Sequence, residues 1–138
     1  MAQDPHTHIL ATHTLPAFSV ISLASLAVHL LLPLATSHAL AATLLTMIAG
    51  IYVGFAIADG RGSRIWVEST VACFFVAFAT WSLVNAPQLI PAGYLAHAAW
   101  DFAHHTPLFK VAMPKWYILA CVVVDVIVGL GLWLIWAL

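Results

Sequence analysis

Between His97 and His105 three imidazoles and one carboxylate, His97, Asp101, His104 and His105, stand in an otherwise apolar stretch. On a helix, at about 100° per residue, His97, Asp101 and His104 fall in one narrow stripe with His105 at its edge. Leu95, Ala99, Phe102 and Ala103 then form the opposite face. Imidazole suits borderline metals and a carboxylate adds charge, so the stripe is a candidate ligand set for zinc, iron or manganese. A blander arrangement needs no metal: the histidines end a helix near lipid headgroups, and Asp101 bonds to backbone or orients one ring. Four such side chains in so short a span favour a metal or catalytic site.

Three further acids are candidates for general acid or base work: Glu68, Asp125 and Asp59. Asp125 stands among Val122, Val123, Val124 and Val126, where a lone carboxylate persists only if paired, protonated or bound to an ion. Asp59, in Asp59-Gly60-Arg61-Gly62, is equally suited to shaping a turn and pairing with Arg61. Glu68 lies deeper in its segment than a charge that merely favours a helix start. By depth, Asp59, Glu68, Asp101, His104 and His105 are expected in an outer layer, with His97 and Asp125 in an inner one. Lone His29 reads as a packed, hydrogen-bonded residue, and His6, His8 and His13 as part of a mobile tail.

The elements that must carry these residues follow from composition. With 138 residues, 64% of them hydrophobic and 7% charged, and a mean hydropathy of +1.04, the chain has lipid as its natural solvent. Each span needs about 20 apolar residues, so the length is used up by an all-α integral membrane bundle of about five transmembrane helices. Residues 1–15 read as a polar N-terminal tail and 16–138 as a single transmembrane helical domain. Helices are expected over 16–35, 39–58, 65–84, 89–105 and 116–138, with Thr36-Ser37-His38 as the first turn. Arg61, Arg64, Lys110 and Lys115 occupy two loops that five spans place on one side, which the positive-inside rule makes cytoplasmic. That gives a cytoplasmic N-terminus, in a bacterial inner membrane. The start lacks the Lys/Arg-rich opening of a secretory signal, so the first helix reads as retained. A net charge of −1 excludes a basic face for nucleic acid, and Cys73 and Cys121 read as small apolar side chains.

The string Gly93-Tyr94-x-x-His97-x-x-Trp100-Asp101-x-x-His104-His105 resembles a family of uncharacterised small bacterial integral membrane proteins. Companion segments are Gly50 to Arg61, Glu68, and Trp116-Tyr117 followed by Cys121 and Asp125, so that the resemblance spans roughly residues 48–125. It implies a fold and names no reaction. A looser likeness is to the histidine-box membrane oxygenases and hydroxylases, whose His-x-x-His-His binds a di-iron pair. Here the pattern reads Asp101-x-x-His104-His105 and the further boxes are missing. Membrane zinc hydrolases of the alkaline ceramidase type also combine three His and an Asp, with Ser and His motifs that this chain does not match.

Taken together, the residues suggest a metal-dependent membrane enzyme acting on a lipid or isoprenoid-like apolar small molecule. His97, Asp101, His104 and His105 would be ligands, and Glu68, Asp125 or Asp59 the acid or base. Trp100 and Tyr94 flank the stripe and would line the substrate pocket. A metal-free variant would use buried carboxyls to protonate an alkene or epoxide, as membrane terpene cyclases do. Two other classes stay open: a component passing protons or metal ions along an Asp/Glu/His relay, and a non-catalytic subunit of a larger membrane complex. For transport, a homo-oligomer would have to supply the symmetry that an absent internal repeat does not.

Overall fold

The computed structural model describes residues 5–107 and 109–138, with side-chain surroundings from residue 15 onward except at position 115. These residues form helices α1 (Pro5–Leu31), α2 (Leu34–Asp59), α3 (Gly62–Asn85), α4 (Ile90–Ala103) and α5 (Lys115–Trp136). A 3-10 turn, Pro87–Leu89, leads into α4, and there is no strand among the described residues. Three helices, α2, α3 and α5, are long and apolar enough to cross a membrane.

The two largest departures from the sequence expectation are both at prolines; in addition α3 starts at Gly62 and not at 65, and α4 ends at Ala103, two residues short of His105. Pro16 lies inside α1 instead of opening it, so the helix starts at Pro5. A ring at Pro16 removes one N–H donor and leaves the rest of the hydrogen-bond ladder available. The side chains of His6, His8 and His13 lie outside the described residues. The first turn falls at Leu32-Pro33, and Thr36, Ser37 and His38 are helical. Pro33 disfavours a helical Leu32 and, at φ −54° and ψ 142°, is the residue from which α2 starts. At the other end of α2, Gly60 has a φ of 76° and its N–H bonds back to the carbonyls of Ala56 and Ile57. That left-handed cap is why a glycine stands there.

In the packing, α2 lies along α3, and α5 lies along both α4 and α1, while α4 also touches α2 and α3. The core joins Ala41, Ala42 and Leu45 of α2 to Ala79, Ile90, Tyr94, Val128 and Leu132. Small residues let the backbones approach. A Cβ at Gly93 would lie 2.6 Å from Leu45 Cδ2 and 2.7 Å from Phe78 Cε1. Tyr94 Oη donates 2.8 Å to the Ala41 carbonyl, tying α4 to α2. Outward, Trp66, Phe74, Leu31 and Leu134 are exposed, a surface suited to hydrocarbon and not to water. With 14 residues, α4 is about 21 Å long, short of the roughly 30 Å of a bilayer core.

Candidate functional site

Helix α4 delivers the site because its spacing of four and three residues turns His97, Asp101 and His104 to the same side, where α2, α3 and α5 converge. All three are buried, as are Glu68 of α3, Asp125 of α5 and Tyr52 of α2. Asp125 is ten residues beyond Lys115 in α5, about 15 Å along the helix.

His97, Asp101 and Asp125 each offer a ligand atom within 4.8 Å of the others, an arrangement that could hold a metal ion. His97 Nδ1 lies 2.7 Å from Asp125 Oδ2 and 3.4 Å from Asp101 Oδ1. The first is a hydrogen bond; the second is only proximity. Asp101 has no exposure, and neither of its oxygens has a partner among the described residues. His97 Nε2 is likewise buried without a partner, and the buried Tyr52 hydroxyl faces the Asp101 carboxyl outside strict hydrogen-bond geometry. One imidazole serves two carboxylates here, so an imidazolium answers one negative charge at most. A proton or a cation must answer the other.

A second pair lies beside the first. His104 Nδ1 is 2.9 Å from the Trp100 carbonyl, which can only accept, so Nδ1 carries a proton. His104 Nε2 then meets Glu68 Oε1 at 3.0 Å through one further proton held between them. Trp100 Nε1–H donates to Glu68 Oε2 at 3.2 Å and fixes the carboxyl. The Tyr52 ring stands between the two groups, 5.7 Å from the His97 ring and 4.5 Å from that of His104.

Two cavities adjoin the cluster. An apolar groove of about 440 Å³ runs between Phe74, Phe75 and Phe78 of α3 and Ala92, Gly93 and Ala96 of α4. Phe75 meets the His97 ring edge-on at 5.0 Å. A more polar cavity of about 220 Å³ is lined by His104, His105, Lys110 and Met113 among others, at the end of α4.

The predicted residues therefore separate. His97, Asp101 and Asp125 form one group, so that Asp101 joins the inner pair, and Glu68 with His104 forms the other. Asp59 pairs with Arg61, whose Nη2 also donates 2.8 Å to the Lys110 carbonyl. This joins the two basic loops beside the cavity that Lys110 lines together with His104. His105 is exposed, its ring 5.7 Å from that of Phe102. Cys73 and Cys121 are free. Sequence reasoning did not single out Tyr52, although it lies seven residues before Asp59, two turns back on α2, and Ala49 and Ala56 are also buried. It also gave no bonding role to the Trp100 indole.

In comparison with known proteins, the family described as "Family of unknown function (DUF6010)" matches residues 13–137, well beyond the segment that carries the resemblance noted above. No curated protein and no solved structure matches.

Proposed function

This chain belongs to the DUF6010 family, whose function is unknown, and on that footing we propose that its own residues form a divalent-metal centre inside the membrane, in an enzyme acting on an apolar, membrane-borne substrate. The observation that carries the reading is Asp101, a fully buried carboxyl whose two oxygens lack partners beside His97 and Asp125. A cation satisfies those oxygens and the unanswered charge at once. His97, Asp101 and Asp125 would hold it, the ion taking the place of the proton between His97 Nδ1 and Asp125 Oδ2. Bound there, zinc, iron or manganese would supply Lewis acidity toward a substrate oxygen or an activated water.

The surroundings suit that chemistry. The Phe-lined groove is of a size and polarity to admit the chain of a lipid or isoprenoid-like molecule, and the polar cavity at His104 gives water a route from the other end. His104 and Glu68 hold one proton between Nε2 and Oε1, in position for general acid work. Trp100 keeps the Glu68 carboxyl oriented, and Phe75 and Tyr52 restrict access of water to His97.

Inductively coupled plasma mass spectrometry of protein purified without chelators tests the reading. About one zinc, iron or manganese per chain is expected, and its loss in Asp101→Asn and His97→Ala while the variants stay folded. A wild-type protein that remains metal-free after incubation with all three ions sinks it.

One observation favours a second reading, a proton relay. The Tyr52 ring bridges two imidazole–carboxyl pairs, the arrangement from which such relays are built. Proton uptake into sealed vesicles that disappears in Glu68→Gln would support it.

A further inference from the structure

The lipid-facing side of the bundle between α3 and α4 is furrowed along most of its length. On α3, Arg64, Val67, Val71, Phe74 and Phe78 recur at intervals of three and four residues and so share one stripe. Val67, Val71 and Phe74 line an apolar cavity of about 380 Å³ together with Trp66, Trp100 and Phe109. Phe74 also lines the 440 Å³ groove that reaches Phe78 and Gly93, so the two spaces meet at one ring. The room comes from α4, where Ala92, Gly93 and Ala96 bring no large side chain against the three phenylalanines. From Arg64 to Phe78 the stripe runs about 21 Å, somewhat more than half of a bilayer core of about 30 Å. That is the depth of one lipid tail whose head lies at the membrane surface.

Arg64 stands at the head of the stripe, half-buried, one turn before Val67. Its guanidinium has no ion pair and no hydrogen bond among the described residues. The acids that could answer it are engaged: Asp59 holds Arg61, and Glu68, one turn further into α3, holds His104 and Trp100. Asp101 and Asp125 lie with His97, and the C-terminal residue lines a cavity at the opposite end of the bundle. A guanidinium presents its donors in a planar fork that fits a phosphate. The groove supplies apolar contact and Arg64 an unanswered positive charge at its mouth. Their complement is an anionic head on a hydrocarbon chain.

We propose that the groove holds one hydrocarbon chain of an anionic membrane lipid, with the lipid's phosphate on Arg64, and that the substrate is an amphiphile of this class. The second half rests on the reading of the acid cluster as an enzyme centre; the lipid site itself does not. A chain so placed runs past Trp100, whose indole holds Glu68, and past Phe75, whose ring meets that of His97 edge-on at 5.0 Å.

The test is native mass spectrometry of delipidated protein titrated with phosphatidylglycerol and, separately, with diacylglycerol of the same chains. Wild-type protein should bind one phosphatidylglycerol about tenfold more tightly than diacylglycerol, the share of one charge-assisted hydrogen bond. Arg64→Gln should remove that preference and Arg64→Lys restore part of it. Ala96→Phe, at an exposed position, fills the groove from α4 and should weaken both lipids. Inorganic phosphate should not displace the lipid, since it brings no chain. Circular dichroism reports folding and metal content reports the acid cluster, so a misfolded variant or a failed metal reading is distinguishable from a failed lipid site. Lipid binding through Arg64 in a protein that takes up no metal would uphold the site and overturn its link to the enzyme. Phosphatidylglycerol affinity that is unchanged in either Arg64→Gln or Ala96→Phe, as for any lipid of the surrounding bilayer, would overturn the proposal.

Discussion

Asp125 and His97 act on each other through a single 2.7 Å bond, so changes at either should not be independent. Asp125→Asn keeps the shape and removes the charge. It is expected to lower metal affinity by at least about 10- to 100-fold, since an anionic ligand becomes a neutral one, with the bundle still folded. His97→Ala should be at least as severe, and the double variant little worse than the worse single one. Additive losses in metal content would separate the two residues. Tyr52 tests the donor side. Its buried hydroxyl faces the Asp101 carboxyl, so Tyr52→Phe should cost about 1 kcal/mol of thermal stability and lower metal occupancy. An unchanged melting temperature and metal content would show that the hydroxyl does not serve Asp101. At this scale the sequence spoke through charge: a carboxylate among valines and a His/Asp stripe are anomalies that can be seen in a string of letters. The pairing of His97 with Asp125 was legible from their matching depth, whereas Asp101 joining that pair and Glu68 taking His104 were not, because they depend on how four helices cross. Tyr52 carries no charge, so it did not stand out.

Helices were legible where apolar runs end at glycine or polar loops, as at Asp59 to Arg64 and Asn85-Ala86-Pro87. The start of α2 was misplaced, because Thr36-Ser37-His38 looks like a polar turn whereas the backbone break comes from Pro33. Chemistry at that end of the bundle was hidden by the same error, since a serine read as part of a turn is not expected to pair with His29, whose Nδ1 lies 2.8 Å from Ser37 Oγ. How the helices meet is decided by particular glycines. A Cβ at Gly129 would sit 3.1 Å from the Pro91 carbonyl, a backbone atom that cannot swing away, and 3.1 Å from Leu95 Cδ2. Gly129→Val should therefore cost about 1–3 kcal/mol by forcing α4 and α5 apart. It lies one turn beyond Asp125, so metal content should fall with stability. Gly50, with nothing within 4 Å of its added Cβ, is the control. Gly50→Ala should be neutral or stabilising by up to about 1 kcal/mol from helix propensity alone. Equal melting temperatures for the two variants would contradict this packing of α4 on α5.

For the molecule as a whole, five helices place the two basic loops at one end, held together by the bond from Arg61 to the Lys110 carbonyl. With that end cytoplasmic, a reporter fused after Leu138 should be active only when the reporter is one that works outside the cytoplasm. Activity of a cytoplasm-only reporter at that position would reverse the orientation. The depth of Asp125 then has an electrical meaning. About 15 Å from the basic end is close to half the thickness of a bilayer core. A divalent ion drawn from the cytoplasm to that depth climbs roughly half of the transmembrane voltage, against an interior-negative potential. Binding releases the His97 proton, because a ligating imidazole is neutral, so one net charge is carried inward. At about 2.3 kcal/mol per elementary charge per 100 mV, one charge over half of a drop of about 100 mV amounts to about 1.2 kcal/mol. That corresponds to roughly a sevenfold weaker affinity in an energised membrane. Proteoliposomes clamped at defined potassium diffusion potentials should lose bound metal as the potential rises and regain it on depolarisation, so that the charge state of the membrane itself sets how much of the protein is loaded.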